Sequence, residues 1–320
     1  MKTITVVLAL YKPNLKWLEE ELCSIGNQTY RDFEVLIWND YPEDSFDYSA
    51  LLERCLKEIP YTLFKGRKNM GSNKVFEKLT SLVQSPYIAY CDQDDIWLPE
   101  KLEILKKSIE ERNVDLVCSD MLVIDGNSKI IATSIDKMRY HQKQYAADHL
   151  FEQLLAKNFV TGCTMLMRTK CAQEAIPFVR HMYHDYWLAV YAAMRGGIYK
   201  CPDPLIQYRI YGGNQTSTLK GVYTKEDYCQ YKILGDNEKF KELNARILTE
   251  NKYKTILKNR MYWTERRMQY FRHPTVRLFL QLYQSRKCNT AVTFFELIMP
   301  FIPACLFSKV IELIQNGEIK

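Results

Sequence analysis

The sequence predicts an α/β protein: a mainly parallel sheet flanked by helices, followed by a mostly helical C-terminal extension. Three observations carry this. From Ile4 to Ser119, apolar runs of strand length alternate with helix-periodic segments, the pattern of βαβ units with right-handed crossovers. Several runs are continuously apolar, as in strands covered on both faces. Beyond residue 219 no comparable run occurs, and helical periodicity dominates.

Ile4–Leu10 is the first strand. It is too short for a signal-peptide core and cleavage site, and Tyr11-Lys12-Pro13-Asn14 breaks it. Leu15, Leu18, Leu22 and Ile25 then recur at helical spacing. Residues 33–38 form the second strand, ending in Asn39-Asp40. A helix over 51–59 and a short strand over 61–64 follow. Asn69-Met70-Gly71-Ser72-Asn73 opens a helix to Val83, and Tyr87–Cys91 is the fourth strand. A helix over 98–112 leads into a strand starting at Leu116. The polar stretch 136–145 predicts a loop, and 159–168 a strand. His184–Met194 reads as a helix stopped by Gly196-Gly197, followed by strands at 198–199 and 205–210 and a turn at Gly212-Gly213-Asn214.

With 47% hydrophobic residues among 320, the chain is no disordered segment. Ten scattered cysteines without a CxxC pair predict buried reduced thiols rather than a disulfide framework or zinc site. The net charge of +6 is uneven: residues 1–219 carry 26 basic and 28 acidic side chains, residues 220–320 carry 18 and 10. That excess suggests an anionic surface as partner for the C-terminal part.

The most informative stretch is Tyr87-Ile88-Ala89-Tyr90-Cys91-Asp92-Gln93-Asp94-Asp95-Ile96-Trp97. A strand ends in three carboxylates within four residues. Crowded carboxylates repel unless a cation offsets them. Mn²⁺ and Mg²⁺ suit such a site, taking one or two carboxylates and completing their shell with water and phosphate oxygens. Strand ends in open α/β sheets are also where ligands bind. The competing reading is an acidic turn before a helix whose first turn holds Pro99.

Four features fall in one order: the strand end Ala9-Leu10-Tyr11, Asp40 with Asp44, Asp92-Gln93-Asp94-Asp95, and His184-Asp185. Together with "DFEVLIWND", "NMGSN", "NFVTGCTMLMR", "HDYWLA" and "PLIQYRIYGGNQ", they make residues 3–218 resemble the family 2 glycosyltransferases, most of all bacterial rhamnosyltransferase-type members of polysaccharide pathways. The resemblance implies a GT-A (Rossmann-like) catalytic domain over 1–219 and a basic, aromatic-rich extension over 220–320. It implies inverting transfer of a sugar, rhamnose among the candidates, from a UDP- or dTDP-linked donor to a saccharide or lipid-linked acceptor.

On that resemblance Ala9, Leu10, Tyr11 and Asp40 hold base and ribose, and Asn69, Gly71 and Asn73 form the donor-side turn. Asp92 meets the ribose and, with Asp94, the Mn²⁺ or Mg²⁺; Gln93 and Arg209 complete the nucleotide-sugar set. Asp185 is the general base, and Asp95, His184, Trp187 and Tyr211 stand on the acceptor side or behind the ligands. Local readings compete: Asp40 as a turn residue, Gly71 as a φ > 0 position, Asp185 as a helix cap. The chain also departs from the pattern. Many relatives carry a metal-completing His after "YR", where this chain has Ile210-Tyr211. Arg209 then either contacts the diphosphate or pairs with a carboxylate.

Between Lys252 and Lys287 ten Lys/Arg stand against one acid, Glu265, interleaved with aromatics. Peripheral contact with the cytoplasmic face of a membrane is the favoured reading, with Arg260, Arg266 and Arg267 as lipid-facing cations; the main alternative is ordinary helical packing or an acceptor lobe, and no nucleic-acid partner is expected, although single-strand binding shares this signature. The apolar stretch 291–307 is broken by Glu296, Pro300 and Pro303 and is too short for a confident span. Two alternatives to the transferase remain. A sugar-1-phosphate nucleotidyltransferase needs a Gly-rich loop after the first strand, which Tyr11-Lys12-Pro13-Asn14 lacks. A non-catalytic carbohydrate- or lipid-binding scaffold would not need Asp92, Asp94 and Asp185 together.

Overall fold

A computed structural model describes residues 2–138, 149–211, 219, 221–247 and 251–315. The chain divides into two compact units, residues 1–178 with 182–211, and residues 179–181 with 212–320.

In the first unit β1 (Ile4–Leu10), β2 (Phe33–Asn39), β3 (Tyr61–Lys65) and β4 (Tyr87–Cys91) run parallel, linked by α1 (Leu15–Gly26), α2 (Ser49–Leu56) and α3 (Ser72–Leu82). The chain continues through β5 (Ile96–Trp97), α4 (Lys101–Arg112), β6 (Leu116–Ile124), β7 (Ile130–Ala132), α5 (Ile135–Met138) and α6 (Leu150–Ala156). It ends with β8 (Met165–Arg168), α7 (Thr169–Glu174), α8 (His184–Met194) and β9 (Ile198–Arg209). The sheet order is β3-β2-β1-β4-β8-β6-β9-β5, with β7 on β6. β4 is buried at every position, as its continuous apolar run requires. Asn14 caps α1, its carboxamide oxygen accepting from the amides of Lys16 and Trp17.

Several expectations are corrected. Residues 159–168 are not one strand: a 3₁₀ turn, Gly162–Thr164, precedes β8, which pairs antiparallel with both β4 and β6. The two strands expected after Gly197 are one, β9, whose register with β6 shifts near Asp120. Residues 136–138 of the expected loop are helical, whereas 139–148 and 212–214 lie outside the described residues. Cys23 and Cys55 are joined as a disulfide between α1 and α2, so the ten cysteines are not all reduced. These helices touch closely: a Cβ at Gly26 would overlap the Cys55 carbonyl.

The second unit is helical among its described residues. α9 (Lys225–Tyr228) runs through a π-helical turn into α10 (Gly235–Arg246), followed by α11 (Lys252–Arg272), α12 (Val276–Gln284), α13 (Thr290–Ile298) and α14 (Ala304–Gln315). Val222, Tyr228, Ile233, Met299, Phe307 and Ile311 form its core. Two of the three arginines expected to face lipid are buried instead. Arg267 pairs with Asp236 at 2.8 Å and Glu296 at 2.7 Å, and its guanidinium lies 4.2 Å from the Trp263 ring centre; Arg260 is also buried. Glu296, the charge that interrupts the apolar stretch, is thus an internal counter-ion. No helix among the described residues is long and apolar enough to cross a membrane.

Candidate active site

The site starts where parallel strands end. Leu10 pairs with Asn39 and Leu8 with Cys91, so Tyr11, Asp40 and Asp92 follow from neighbouring strands. Gln93 ties two of these ends: its Oε1 accepts from the Tyr11 amide (2.8 Å) and its Nε2 donates to the Tyr11 carbonyl (3.1 Å). Asp40 is buried and accepts from the amides of Met70 (3.0 Å) and Gly71 (2.9 Å). Asn69 Oδ1 also accepts from Gly71 N. Gly71 has φ +79° with open space around it, so backbone conformation alone asks for glycine there. Asn73 Nδ2 donates to the Met182 carbonyl at 2.6 Å, linking α3 to the segment before α8. Leu10 is buried, and Ala9 is partly so.

Beside these ends opens a cavity of about 510 Å³ lined by Tyr11, Lys12, Tyr41, Pro42, Glu43, Arg67, Lys68 and Asn69. The Tyr11 and Tyr41 rings meet edge-on at 5.9 Å, and Lys12 Nζ lies 4.9 Å from the Tyr41 ring centre. Aromatic faces with three nearby cations suit a nucleotide. Tyr41, Arg67 and Lys68 were not singled out from sequence; the basic pair directly before Asn69 was the available signal.

The three acids differ in surroundings. Asp94 Oδ2 accepts from Tyr211 Oη at 2.6 Å, and Tyr211 packs on Trp17 with ring centres 4.7 Å apart. Tyr211 therefore meets the acid loop as a hydrogen-bond donor. Asp95 is fully buried, and its Oδ1 accepts from Arg209 N at 2.9 Å. One oxygen each of Asp92 and Asp95 and the Sγ of Cys163 lie within 4.8 Å of one another, a group that could hold a metal ion. Burial, with the charges of Asp94 and Asp185, pushes Asp92 up to about 7. Burial also raises Asp94, against the Tyr211 hydrogen bond, and lifts Asp95 and the Cys163 thiol well above their ordinary values.

Arg209 is fully buried. Its Nε donates to the Asp94 carbonyl (2.7 Å), Nη1 to the Asp125 carbonyl (3.1 Å) and Ser128 Oγ (2.9 Å), and Nη2 to Glu20 (2.6 Å). Of its two expected roles the structure gives carboxylate pairing: Arg209 holds the acid loop rather than facing a diphosphate.

Two buried charges beneath the acids escaped the sequence reading. Lys101 donates from Nζ to the Cys163 carbonyl at 2.5 Å and lies 3.4 Å from the Trp97 ring centre. Glu21 accepts from Cys91 Sγ at 3.2 Å. Burial pushes Glu21 up to about 8 and Lys101 down to about 8. A signal existed: Glu21 falls in the apolar register Leu18, Leu22, Ile25, and Lys101 in the register Leu105, Ile109.

Asp185 lies in the first turn of α8. Its Oδ1 accepts from Tyr186 N (2.6 Å) and its Oδ2 from Gly162 N (3.2 Å). Burial raises it to about 6. His184 stacks on Phe76 at 4.0 Å, and burial holds its pKa down at about 3, so it is neutral. A Cβ on Gly162 would stand 2.8 Å from His184 Nε2; this small residue lets the turn reach Asp185. Trp187 is a correction: it is buried and donates to the Ala175 carbonyl at 2.8 Å, so it packs the core rather than facing an acceptor.

Acids at parallel strand ends beside a basic aromatic cavity describe an α/β enzyme suited to a nucleotide diphosphate. The model of Glycosyl transferase family 2 matches residues 5–175, more than half of the chain. The chain belongs to glycosyl transferase family 2 and is a glycosyltransferase, which removes the nucleotidyltransferase alternative. It is 26% identical over 237 residues to an uncharacterised glycosyltransferase of Methanocaldococcus jannaschii, covering 72% of this chain and 78% of that one. It is 25% identical over 226 residues to the UDP-Glc:α-D-GlcNAc-diphosphoundecaprenol β-1,3-glucosyltransferase WfgD of Escherichia coli, covering 68% and 80%. Among solved structures it is similar to residues 1–349 of S. aureus TarS in complex with UDP-GlcNAc, with a TM-score of 0.59, 14% identity and coverage of 99% and 92%. That likeness supports the GT-A fold.

Proposed function

We propose that this glycosyltransferase moves a sugar from a nucleoside-diphosphate donor to a saccharide or lipid-linked acceptor by one inverting displacement, with Asp185 as base. The observation that carries the reading is that Asp185 Oδ2 accepts from the amide of Gly162, the neighbour of Cys163, whose Sγ lies within 4.8 Å of carboxylate oxygens of Asp92 and Asp95. The cavity between Tyr11 and Arg67 would take base and ribose. Asp92 and Asp94 would hold Mn²⁺ or Mg²⁺; the fit rests on hard carboxylate oxygens that repel one another, with a protonated Cys163 thiol behind them. Bound there, the cation would supply positive charge to the leaving diphosphate. Asp185, with a pKa of about 6, is largely ionised at neutral pH. It takes the acceptor hydroxyl's proton while that oxygen bonds to the anomeric carbon and the bond to the diphosphate oxygen breaks.

The names of the relatives guide the choice of substrates. The E. coli enzyme's name carries UDP-Glc and a diphosphoundecaprenol-linked acceptor, and the S. aureus complex holds UDP-GlcNAc. We therefore favour a UDP-linked hexose over dTDP-rhamnose, and a lipid-linked glycan at the cytoplasmic face of a membrane, in polysaccharide synthesis. The test is release of nucleoside diphosphate from UDP-glucose, UDP-GlcNAc and dTDP-rhamnose, with Mn²⁺ or with EDTA. One donor should be cleaved, and only with the cation. Failure of every donor, with no nucleotide raising the melting temperature, would reject the reading.

A further inference from the structure

We propose that the outer face of α12 and α13 is a docking surface for an anionic lipid membrane. The inference deepens the lipid-linked-acceptor reading but stands on separate observations. Val276, Phe279, Leu280 and Tyr283 are exposed at positions i, i+3, i+4 and i+7 of α12, Val276 at 77% and Leu280 at 51%. This is an apolar stripe along one helix face. Leu282 is fully buried and anchors α12, and Phe279 meets Tyr270 of α11 edge-on at 6.4 Å while staying 40% exposed; Val276 and Leu280 carry the outward part of the stripe. The Tyr283 ring meets Phe294 at 6.1 Å and carries the stripe onto α13, where Phe294 and Ile298 are exposed one turn apart. Contiguous apolar patches of this kind mark interaction sites.

The rim identifies the occupant. Between Glu265 and Glu296 the chain has no acidic residue. Arg272, Arg277 and Lys287 are exposed, and the Arg286 guanidinium lies 4.2 Å from the Tyr283 ring centre. Aromatic and aliphatic side chains bordered by cations match the headgroup and acyl boundary of an anionic bilayer. A second copy of the same face would set cation against cation. A nine-residue helix lies on such a surface and does not cross it.

The experiment is flotation of the full chain with phosphatidylcholine vesicles, with and without phosphatidylglycerol. Binding should require the anionic lipid and fall with salt. The double substitution Arg277→Gln with Lys287→Gln should weaken partitioning roughly 25-fold at low salt, about fivefold per charge. Leu280→Ser with Phe294→Ser should abolish it. The wild type and both variants should release nucleoside diphosphate equally in solution, which separates failure of docking from failure of the transferase reading. Three results would overturn the proposal: no binding to anionic vesicles at low salt, equal binding by the charge variant, or a concentration-dependent oligomer that Leu280→Ser dissolves.

Discussion

Asp185→Asn should cut sugar transfer by about 10²–10⁴-fold, the usual worth of a general base, while leaving the fold and donor binding in place. The structure lets the stability side be worked out. Asp185 accepts two backbone amides, from Tyr186 and Gly162. Asparagine keeps one acceptor and turns its amide toward the other N–H, a loss of about 1–3 kcal/mol. Against this, burial raises the carboxyl from its ordinary 3.8 to about 6, a cost to the ionised form of about 3 kcal/mol that a neutral amide does not carry. The two nearly cancel, so the melting temperature should stay close to that of the wild type. Steady-state transfer with donor and acceptor, calorimetry with UDP and Mn²⁺, and a thermal melt are the assays. Turnover within threefold of wild type would refute the reasoning and leave Asp185 as a first-turn acceptor that organises Gly162.

Three further outcomes follow from the same geometry. Asp94→Ala should abolish Mn²⁺-dependent nucleotide affinity with the fold intact; calorimetry showing unchanged affinity would remove Asp94 as a ligand. Gly162→Ala should cost about 1–3 kcal/mol of stability by overpacking, because its Cβ meets His184 Nε2 and His184 is stacked against Phe76; an unchanged melt would show that the ring can retreat. Without a cation, Glu21 at about 8, Asp92 at about 7 and Asp185 at about 6 bind protons more tightly folded than unfolded, so stability should rise as pH falls from about 8 to about 6. His184, held at about 3 against an ordinary 6.5, opposes the gain below about 6.5 without reversing it, since one imidazole stands against three carboxyls; melts across this range, and a larger Mn²⁺ shift at pH 8 than at pH 6, check the sign.

The parallel half of the sheet was legible because its signal is local. β1 and β4 are unbroken apolar runs, and α1 carries its own periodicity and Asn cap. β5, two residues long, and β8 exist only through antiparallel partners distant in sequence, and no local pattern announces such pairing. The acid motif was legible as carboxylates crowded at a strand end, but not how each one is held. That Asp95 meets an Arg209 amide and Asp94 a Tyr211 hydroxyl depends on where β9 ends. The same reason explains Arg260 and Arg267. In sequence they belong to a basic run; in the structure both are buried, one bridging Asp236 and Glu296. A charge count cannot tell a solvated cation from an internal one, whereas register can: Arg260, Trp263, Arg267 and Tyr270 are buried at helical spacing along α11.

The charge balance beneath the acid loop supports the proposal that a cation binds there. Arg209 is committed to Glu20 and to loop carbonyls, so it neutralises the loop only partly. Lys101 is the buried ammonium on the other side, and it faces Glu21, Asp95 and two cysteines at once. One or two positive charges therefore oppose four acids: Asp92, Asp94, Asp95 and Glu21. A buried surplus of negative charge is resolved by protons or by a metal, and burial raises all four acids, which favours protons in the protein alone. A divalent cation arriving with the donor would displace those protons, so metal affinity should strengthen as pH rises and binding should release protons. On this reading Lys101 keeps the apo site folded while leaving a deficit for the metal to fill. Lys101→Met would be met by further proton uptake rather than by a bare buried carboxylate, which predicts a greater loss of stability at pH 8 than at pH 6. Equal destabilisation at both would make Lys101 a packing residue and remove it from the charge balance.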